Sequence, residues 1–159
     1  MKPKDKAMTR RIERLLAEYG ESHQNPTNKA VHWVCVPLIV WSVLALVASI
    51  PGPGAGQGVR WITLLLILAM FYYIWISPTL AVGIAVFAGL CLWVISLVQG
   101  AGLPLWQVAA AVFVLAWIGQ FWGHKVEGRK PSFLKDLQFL LIGPAWLLSF
   151  LYKRAGIPV

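Results

Sequence analysis

The sequence predicts an all-α integral membrane protein, a four-helix bundle that carries further helical segments at both ends. Of its 159 residues, 58% are hydrophobic and only 13% are charged, which is more apolar than is usual for a soluble domain of this size. Four long apolar runs alternate with short breaks, most of them rich in glycine and proline. In lipid such runs must be helices, because strand edges there leave backbone polar groups unsatisfied unless a barrel closes. We expect one membrane domain over residues 1–159.

The charged residues concentrate near the two ends of the chain. Seven of the 14 Lys and Arg residues precede residue 30, six follow residue 123, and the formal net charge is +8. Because cytoplasmic flanks of membrane helices are enriched in Lys and Arg, we expect both termini in the cytoplasm. No recognition motif indicates nucleic-acid binding. Cys35 and Cys91 lack the spacing of a metal or redox motif, so we expect small core residues, with Cys35 as an alternative extra metal ligand.

Residues 1–22 are predicted to contain a basic amphipathic helix, with the helical pattern running from Ala7 to Ser22. Apolar residues recur there at helical spacing and are flanked by arginines. Such a stripe can lie on the membrane surface or pack against the rest of the protein, and the sequence leaves both interpretations open. Pro26 ends this segment, since it fits only the first turn of a new helix, with Asn25 as the N-cap.

Four transmembrane helices are predicted within residues 34–122. Each apolar run has about the length that crosses a hydrocarbon core. Tryptophans near the run ends form two belts, as at the two interfaces of a bilayer. Four crossings return the chain to the side on which it began. The runs cover residues 34–50, 61–76, 79–98 and 105–122.

Residues 123–159 are expected to remain on the cytoplasmic side. Their apolar stretch, residues 137–152, is interrupted by Gly143 and Pro144 and would extend only about 24 Å as a helix. A fifth crossing would carry Lys153 and Arg154 to the opposite side. We therefore expect an interfacial or re-entrant helical pair above the bundle, with a fifth span as the alternative.

All three histidines fall in one interfacial layer of this topology. His23 and His32 precede the first crossing, whereas His124 and Glu127 follow the fourth. Nine residues would place His23 and His32 on opposite faces of an unbroken helix, but the break at Pro26 lets His23 fold back toward His32. Three imidazoles and a carboxylate are an ordinary ligand set for a divalent transition metal such as iron or zinc.

Neighbouring side chains extend this hypothesis and also supply alternatives to it. Asn28 precedes His32 by one helical turn and can orient its ring, and Gln120 can do the same for His124 or bridge to another helix. The histidines could instead be simple interfacial anchors. Glu127 could instead form surface ion pairs with the basic residues that surround it in sequence, Lys125, Arg129 and Lys130.

The sequence pattern argues against several classes of enzyme and against a secondary transporter. Three histidines are too few for a membrane di-iron hydroxylase or desaturase. The chain also has no nucleophile elbow, Walker loop or dinucleotide-binding glycine pattern. The apolar runs hold few of the mid-membrane polar groups that a secondary transporter uses.

Three segments resemble a small integral-membrane family of 2-hydroxy fatty acid dioxygenases, over about residues 8 to 152. They are HQNPTNKAVHWVCVPL, WIGQFWGHKVEGRKPSF and LLIGPAWLL. The resemblance implies a single Fe(II) ion, held through histidines, that uses O₂ to shorten a 2-hydroxy fatty acid by one carbon. It implies metal-binding and catalytic roles for the matching motif residues, His23, His32, His124 and Glu127. Asn28 and Gln120 match positions that support these ligands.

The resemblance also indicates a bacterial member in the inner membrane. A 2-hydroxy carboxylate can chelate iron through its hydroxyl and carboxylate oxygens, leaving coordination positions for O₂. The acyl tail would lie among the apolar helices, and nearby basic residues could attract the carboxylate, namely Lys125, Arg129 or Lys130. Two other functions stay open: a non-enzymatic membrane scaffold, and a zinc-dependent lipid hydrolase with Glu127 as general base. The sequence does not determine the oligomeric state.

Overall fold

A computed structural model describes residues 3–21, 23–52, 60–128 and 141–159, with side chains from Ile12 onward. Within these ranges the chain is entirely helical and has no strand, so the all-α prediction is confirmed. The helices are α1 (Pro3–Glu21), α2 (Pro26–Ser49), α3 (Trp61–Ile76), α4 (Pro78–Gly100), α5 (Leu105–Glu127) and α6 (Ile142–Arg154).

Three of the four predicted crossings are helices long and apolar enough to span a membrane. They are α2, α4 and α5, with 24, 23 and 23 residues. The remaining apolar helix, α3, has 16 residues and is therefore only about 24 Å long. A crossing by α3, and with it the four-span topology, stays a prediction.

Helix α2 begins eight residues before the apolar run that predicted it. The Asn25 side-chain oxygen accepts the Thr27 N–H at 2.8 Å, and Pro26 occupies the first turn, as the sequence predicts. This cap satisfies a backbone donor that would otherwise lack a partner. As a result, His32 lies in the second turn of α2.

Helices α2 and α5 form the most extensive helix pair, and two glycines of α5 allow their close approach. A Cβ atom on Gly119 would lie 2.6 Å from Cys35 Sγ, and one on Gly123 would lie 2.5 Å from Asn28 Oδ1. Real Cβ atoms do not come so close to other atoms, so a larger residue would require Cys35, Asn28 or the helices themselves to shift. Ala116 continues this small-residue face against Cys35.

The apolar stripe of α1 packs against the protein, which decides between the two interpretations of this helix. Ile12 is 1% exposed and lies in a cluster with residues of α3, α4 and α6, including Tyr73, Leu80 and Ala145. Tyr19, near the other end of α1, is also buried. The stripe is therefore covered by neighbouring helices.

The break predicted at Gly143 and Pro144 is the first turn of α6. Proline fits this turn because the first backbone N–H groups of a helix need no intrahelical acceptor. Residues 142–147 are all buried, and α6 packs mainly on α1 and α4. The 13 residues of α6 extend about 20 Å, and the choice between a re-entrant segment and a fifth span stays a prediction. The earlier part of the predicted tail lies outside the described residues.

We predict that Gly123→Ala destabilises the protein by about 1 to 3 kcal/mol, the usual cost of overpacking. The added methyl group would collide with Asn28 Oδ1 and push α5 away from α2. Thermal unfolding in mild detergent measures this effect. Gly89→Ala in α4 is the matched control, because a Cβ there meets nothing within 4 Å and alanine favours the helix. Equal destabilisation of both variants would contradict the packing argument.

Candidate metal centre

His23 is positioned by the end of α1 and by the turn that follows it. Its backbone N–H donates to the Gly20 carbonyl at 3.0 Å, and its Nδ1 hydrogen-bonds to the Tyr19 carbonyl. The imidazole stacks on the Tyr19 ring with centroids 4.3 Å apart and an interplanar angle of 14°. Trp146 of α6 lies on another side, 5.3 Å away between centroids. These contacts bury the ring.

His32 and His124 complete a cluster with His23. His32 is held by a hydrogen bond of 2.9 Å between its Nδ1 and the Asn28 carbonyl. The His124 ring, in the last turns of α5, lies 5.4 Å from that of His23 and 5.2 Å from that of His32. One ring nitrogen of each histidine lies within 4.8 Å of the other two. The structure thus brings together the three histidines that the sequence placed in one layer.

The His23 and His32 rings face each other through their Nε2 atoms, which are 2.8 Å apart. A backbone carbonyl can only accept a hydrogen bond, so each Nδ1 carries the hydrogen and donates it. In a neutral imidazole of this tautomer, Nε2 holds a lone pair and no hydrogen. Two lone pairs therefore point at each other, an arrangement that a shared cation stabilises.

The pKa of His23 indicates whether its ring carries a positive charge at neutral pH. The pKa of His23 is lowered from 6.5 to about 4, because burial, the largest cause, and the neighbouring His124 together outweigh the opposing effect of the hydrogen bond to Tyr19. His23 is therefore neutral near pH 7. A metal ion bound to both nitrogens, with bonds of about 2.0–2.1 Å, would lie beside the line that joins them and would supply the missing positive charge.

The surroundings of the histidines agree with the requirements of a metal site. A histidine that binds a metal through one ring nitrogen usually donates a hydrogen bond from the N–H of the other to a carbonyl or carboxylate. This bond fixes the tautomer and the ring orientation. His23 and His32 both do so, to Tyr19 and Asn28. Metal–nitrogen bonds of about 2.0–2.1 Å place adjacent ligand nitrogens about 3 Å apart, close to the spacing of these two rings. The three histidines therefore fit a divalent transition metal.

Glu127 connects the end of α5 to the segment that carries His23 and His32. Its carboxylate accepts backbone N–H groups from Gln24 at 2.8 Å and from Asn25 at 2.9 Å, and it accepts the Asn28 side-chain amide at 3.0 Å. Among the described residues, the group with metal-ligand geometry consists of the three histidines. These contacts give Glu127 a positioning role, and its predicted role as a ligand stays a prediction.

The two predicted supporting residues differ in what they contact. Asn28 is fully buried and acts twice, because its carbonyl accepts from His32 and its side chain donates to Glu127. Gln120 is buried one turn before His124, and its Oε1 has no hydrogen-bond partner among the described residues. A bond from Gln120 to the His124 ring stays a prediction.

The predicted carboxylate-binding residues fall at the edge of the described structure. Lys125 follows His124 directly and is exposed. Arg129 and Lys130 lie outside the described residues. Cys35, the alternative extra ligand, is not part of the histidine group and packs against Gly119.

Three site residues were missed by the sequence reasoning: Tyr19, Gly123 and Trp146. Tyr19 could have been found, because it lies four residues before His23 and its carbonyl, in the last turn of α1, has no intrahelical partner. Gly123 precedes His124 and could have been recognised as a contact point between helices. Trp146 lies in the segment LLIGPAWLL, but only the docking of α6 brings it to His23.

Comparison with known proteins gives two matches. The family model described as "2-hydroxy-palmitic acid dioxygenase Mpo1-like" matches residues 9–155. The chain is 28% identical over 147 residues to the 2-hydroxy-palmitic acid dioxygenase MPO1 of Saccharomyces cerevisiae, covering 90% of this chain and 81% of that protein. No solved structure matches the chain at a significant level.

We predict that Glu127→Gln weakens metal binding by about 10- to 100-fold, the usual effect of losing a group that positions a ligand. An amide attracts the N–H groups of Gln24 and Asn25 less strongly than a carboxylate does, so α5 and α2 would be held together less firmly. Titration with Co(II), followed by its visible absorption, measures both affinity and coordination.

The absorption spectrum separates the two roles of Glu127. A positioning role predicts weaker binding with an unchanged spectrum at saturation, whereas loss of a ligand would change the spectrum. Glu18→Gln, at an exposed position of α1, is the control and is expected to bind as the unmodified chain does. Unchanged affinity in Glu127→Gln would refute both roles.

Proposed function

The chain belongs to the Mpo1-like family of 2-hydroxy-palmitic acid dioxygenases, and we propose that it is a membrane-embedded, Fe(II)-dependent dioxygenase. Its reaction would shorten a 2-hydroxy fatty acid by one carbon with O₂. The observation that carries the proposal is the facing pair of Nε2 atoms of His23 and His32, 2.8 Å apart, beside His124. The family supplies the reaction class, and this cluster supplies a place for the metal.

The residues that would hold the iron are His23, His32 and His124. Fe(II), when bound, supplies activation of O₂ and Lewis acidity toward the hydroxyl and carboxylate of the substrate. Three imidazoles are neutral ligands and leave the charge of a divalent ion uncompensated. An anionic 2-hydroxy carboxylate is therefore the complementary partner, since it brings the negative charge that these ligands lack.

The proposed overall reaction balances without a further reductant. One 2-hydroxy acid, R–CH(OH)–COOH, and one O₂ give R–COOH, CO₂ and H₂O. The bond between C1 and C2 breaks, C1 leaves as CO₂, and C2 becomes the carboxyl carbon of the shortened acid. O₂ is reduced by the four electrons that these two carbons lose.

The protein's own contribution is to orient the ligands and to exclude water. The carbonyls of Tyr19 and Asn28 fix both Nδ1 hydrogens, so that both Nε2 lone pairs remain available. The side chains of Trp146 and Tyr19 cover His23, and bulk water is kept from the cluster. Lys125 would attract the substrate carboxylate at the cytoplasmic face, together with Arg129 and Lys130.

The proposed location is the bacterial inner membrane, with both termini in the cytoplasm. Large apolar side chains are exposed along the helices, among them Leu68, Phe71, Val82 and Leu115. In water such a surface would cause aggregation, whereas in a bilayer it contacts lipid. The basic residues at both ends support the cytoplasmic orientation.

We predict near-stoichiometric iron in protein purified anaerobically in mild detergent, and loss of that iron in a His32→Ala/His124→Ala double variant. Elemental analysis gives the metal content. With 2-hydroxyhexadecanoate, an oxygen electrode and mass spectrometry should show one O₂ consumed for each pentadecanoate and CO₂ formed. Gln99→Ala/Gln107→Ala, at exposed positions away from the histidines, is the control and should retain both properties.

Other outcomes would replace the proposal. Zinc, with O₂-independent cleavage of a lipid ester, would favour a hydrolase. Absence of metal in the unmodified chain even after reconstitution with Fe(II) would favour a membrane scaffold.

A further inference from the structure

Two adjacent apolar pockets lie beside α2, between it and the neighbouring helices. The inner pocket, of about 110 Å³, lies against α3 and α4. The outer pocket, of about 140 Å³, lies against α4 and α6. Phe87 of α4 and Pro144 of α6 line both pockets, so these two side chains stand where one pocket meets the other.

The pockets run along a face of α2 that adjoins the side carrying His32. Steps of four, eight and eleven residues from His32 lead to Val36, Val40 and Val43, which lie within about 80° of it around the helix axis. The other lining residues of α2 lie about 100° to 140° from His32, namely Trp33, Pro37 and Leu44. Val36 lines the outer pocket, and Val40 and Val43 line the inner one. From His32 to Val43 the distance along the axis is about 16 Å, the scale of an extended long-chain acyl group.

The outer pocket shares a wall with the histidine centre. Val36 packs in one buried cluster with Tyr19 and Trp146, and both of these aromatic rings contact the His23 ring. Leu147, the neighbour of Trp146, lines the outer pocket. The outer pocket therefore lies one layer of packed side chains away from the histidine cluster.

The lining chemistry favours a hydrocarbon chain. No charged residue of the described chain lines either pocket. The Tyr73 hydroxyl, at the inner pocket, already donates to the Leu141 carbonyl. A polar ligand would find few partners there, whereas an acyl chain would gain by burial. Trp33 and Leu151, on the rim of the outer pocket, are 41% and 50% exposed, which opens this end toward the outer face of the helices.

We propose that the two pockets together hold the acyl chain of the substrate, with its hydroxy-carboxylate end at the histidines and its methyl end between α3 and α4. The identity of the polar end rests on the proposed function, but the acyl site does not. Ala69 of α3 and Ala88 of α4 line the inner pocket. Their small side chains leave room for the methyl end of a long acyl chain. The size of the inner pocket would then set the longest chain that fits.

Photoaffinity labelling tests the site without requiring turnover. Iron-loaded protein in mild detergent would be irradiated with 2-hydroxyhexadecanoic acid that carries a diazirine at its methyl end. We expect labels on the inner-pocket residues of α3 and α4, such as Leu65, Ala69 and Ala88, and loss of labelling with excess unlabelled acid. Labels mainly on outward residues of α4, such as Val86, would overturn the proposal.

Filling the inner pocket tests the length limit. Ala88→Phe should raise the KM for 2-hydroxyhexadecanoate at least about tenfold, since each lost methylene contact changes discrimination by about 10-fold or more. The KM for 2-hydroxyoctanoate should stay unchanged. Val86→Phe, on the same helix but 62% exposed and outside both pockets, is the control and should leave both KM values unaltered. Ala69→Leu provides a smaller change of the same kind if Ala88→Phe fails to fold.

Two results separate the acyl site from the proposed function. An equal rise of KM for both chain lengths in the folded, iron-loaded variant would overturn the acyl site and leave the dioxygenase intact. The unmodified chain could instead show no turnover while excess unlabelled acid still suppresses labelling of the inner pocket. That result would overturn the proposed dioxygenase activity and leave the acyl site intact.

Discussion

The approach of two imidazole nitrogens that both lack a hydrogen is the interaction on which the arrangement of this protein depends. Each ring is committed to this state by a backbone carbonyl, Tyr19 for His23 and Asn28 for His32. Burial lowers the pKa of His23, so protonation does not relieve the contact near neutral pH. The helices on either side hold the rings in place, and the resulting cluster is compatible with a metal ion.

The packing of α2 against α5 determines whether the third histidine reaches this pair. Gly119 and Gly123 allow the two helix backbones to approach, and Glu127 joins the end of α5 to the start of α2 through three donors. Steric fit and charge-assisted hydrogen bonds thus act on the same helix pair. The apolar pockets lie along the same helix, so that α2 contributes to both the polar centre and the proposed acyl site.

Much of the fold could be predicted because each prediction rested on a local physical rule. The apolar runs and breakers indicated helices, and Asn25 with Pro26 indicated the start of α2, which the cap confirms. Residues 26–33 are polar enough to hide a helix from hydropathy, and the cap at Asn25 was the signal that placed them in α2. The layer of histidines was predicted from the topology alone. Whether their rings meet depends on distances between side chains of different helices, which the spacing of residues along the sequence does not give.

The sequence by itself determined the helical class, the position of the helix breaks and the chemical nature of the candidate ligands, because backbone preferences and side-chain types are local properties. Only the tertiary structure decided that the stripe of α1 packs inside the protein, that α6 brings Trp146 to His23, and that the carboxylate of Glu127 joins two helices. These contacts link residues more than a hundred positions apart in the chain, such as Gln24 and Glu127. They depend on how several helices fill space together, which side-chain spacing within any one helix does not determine.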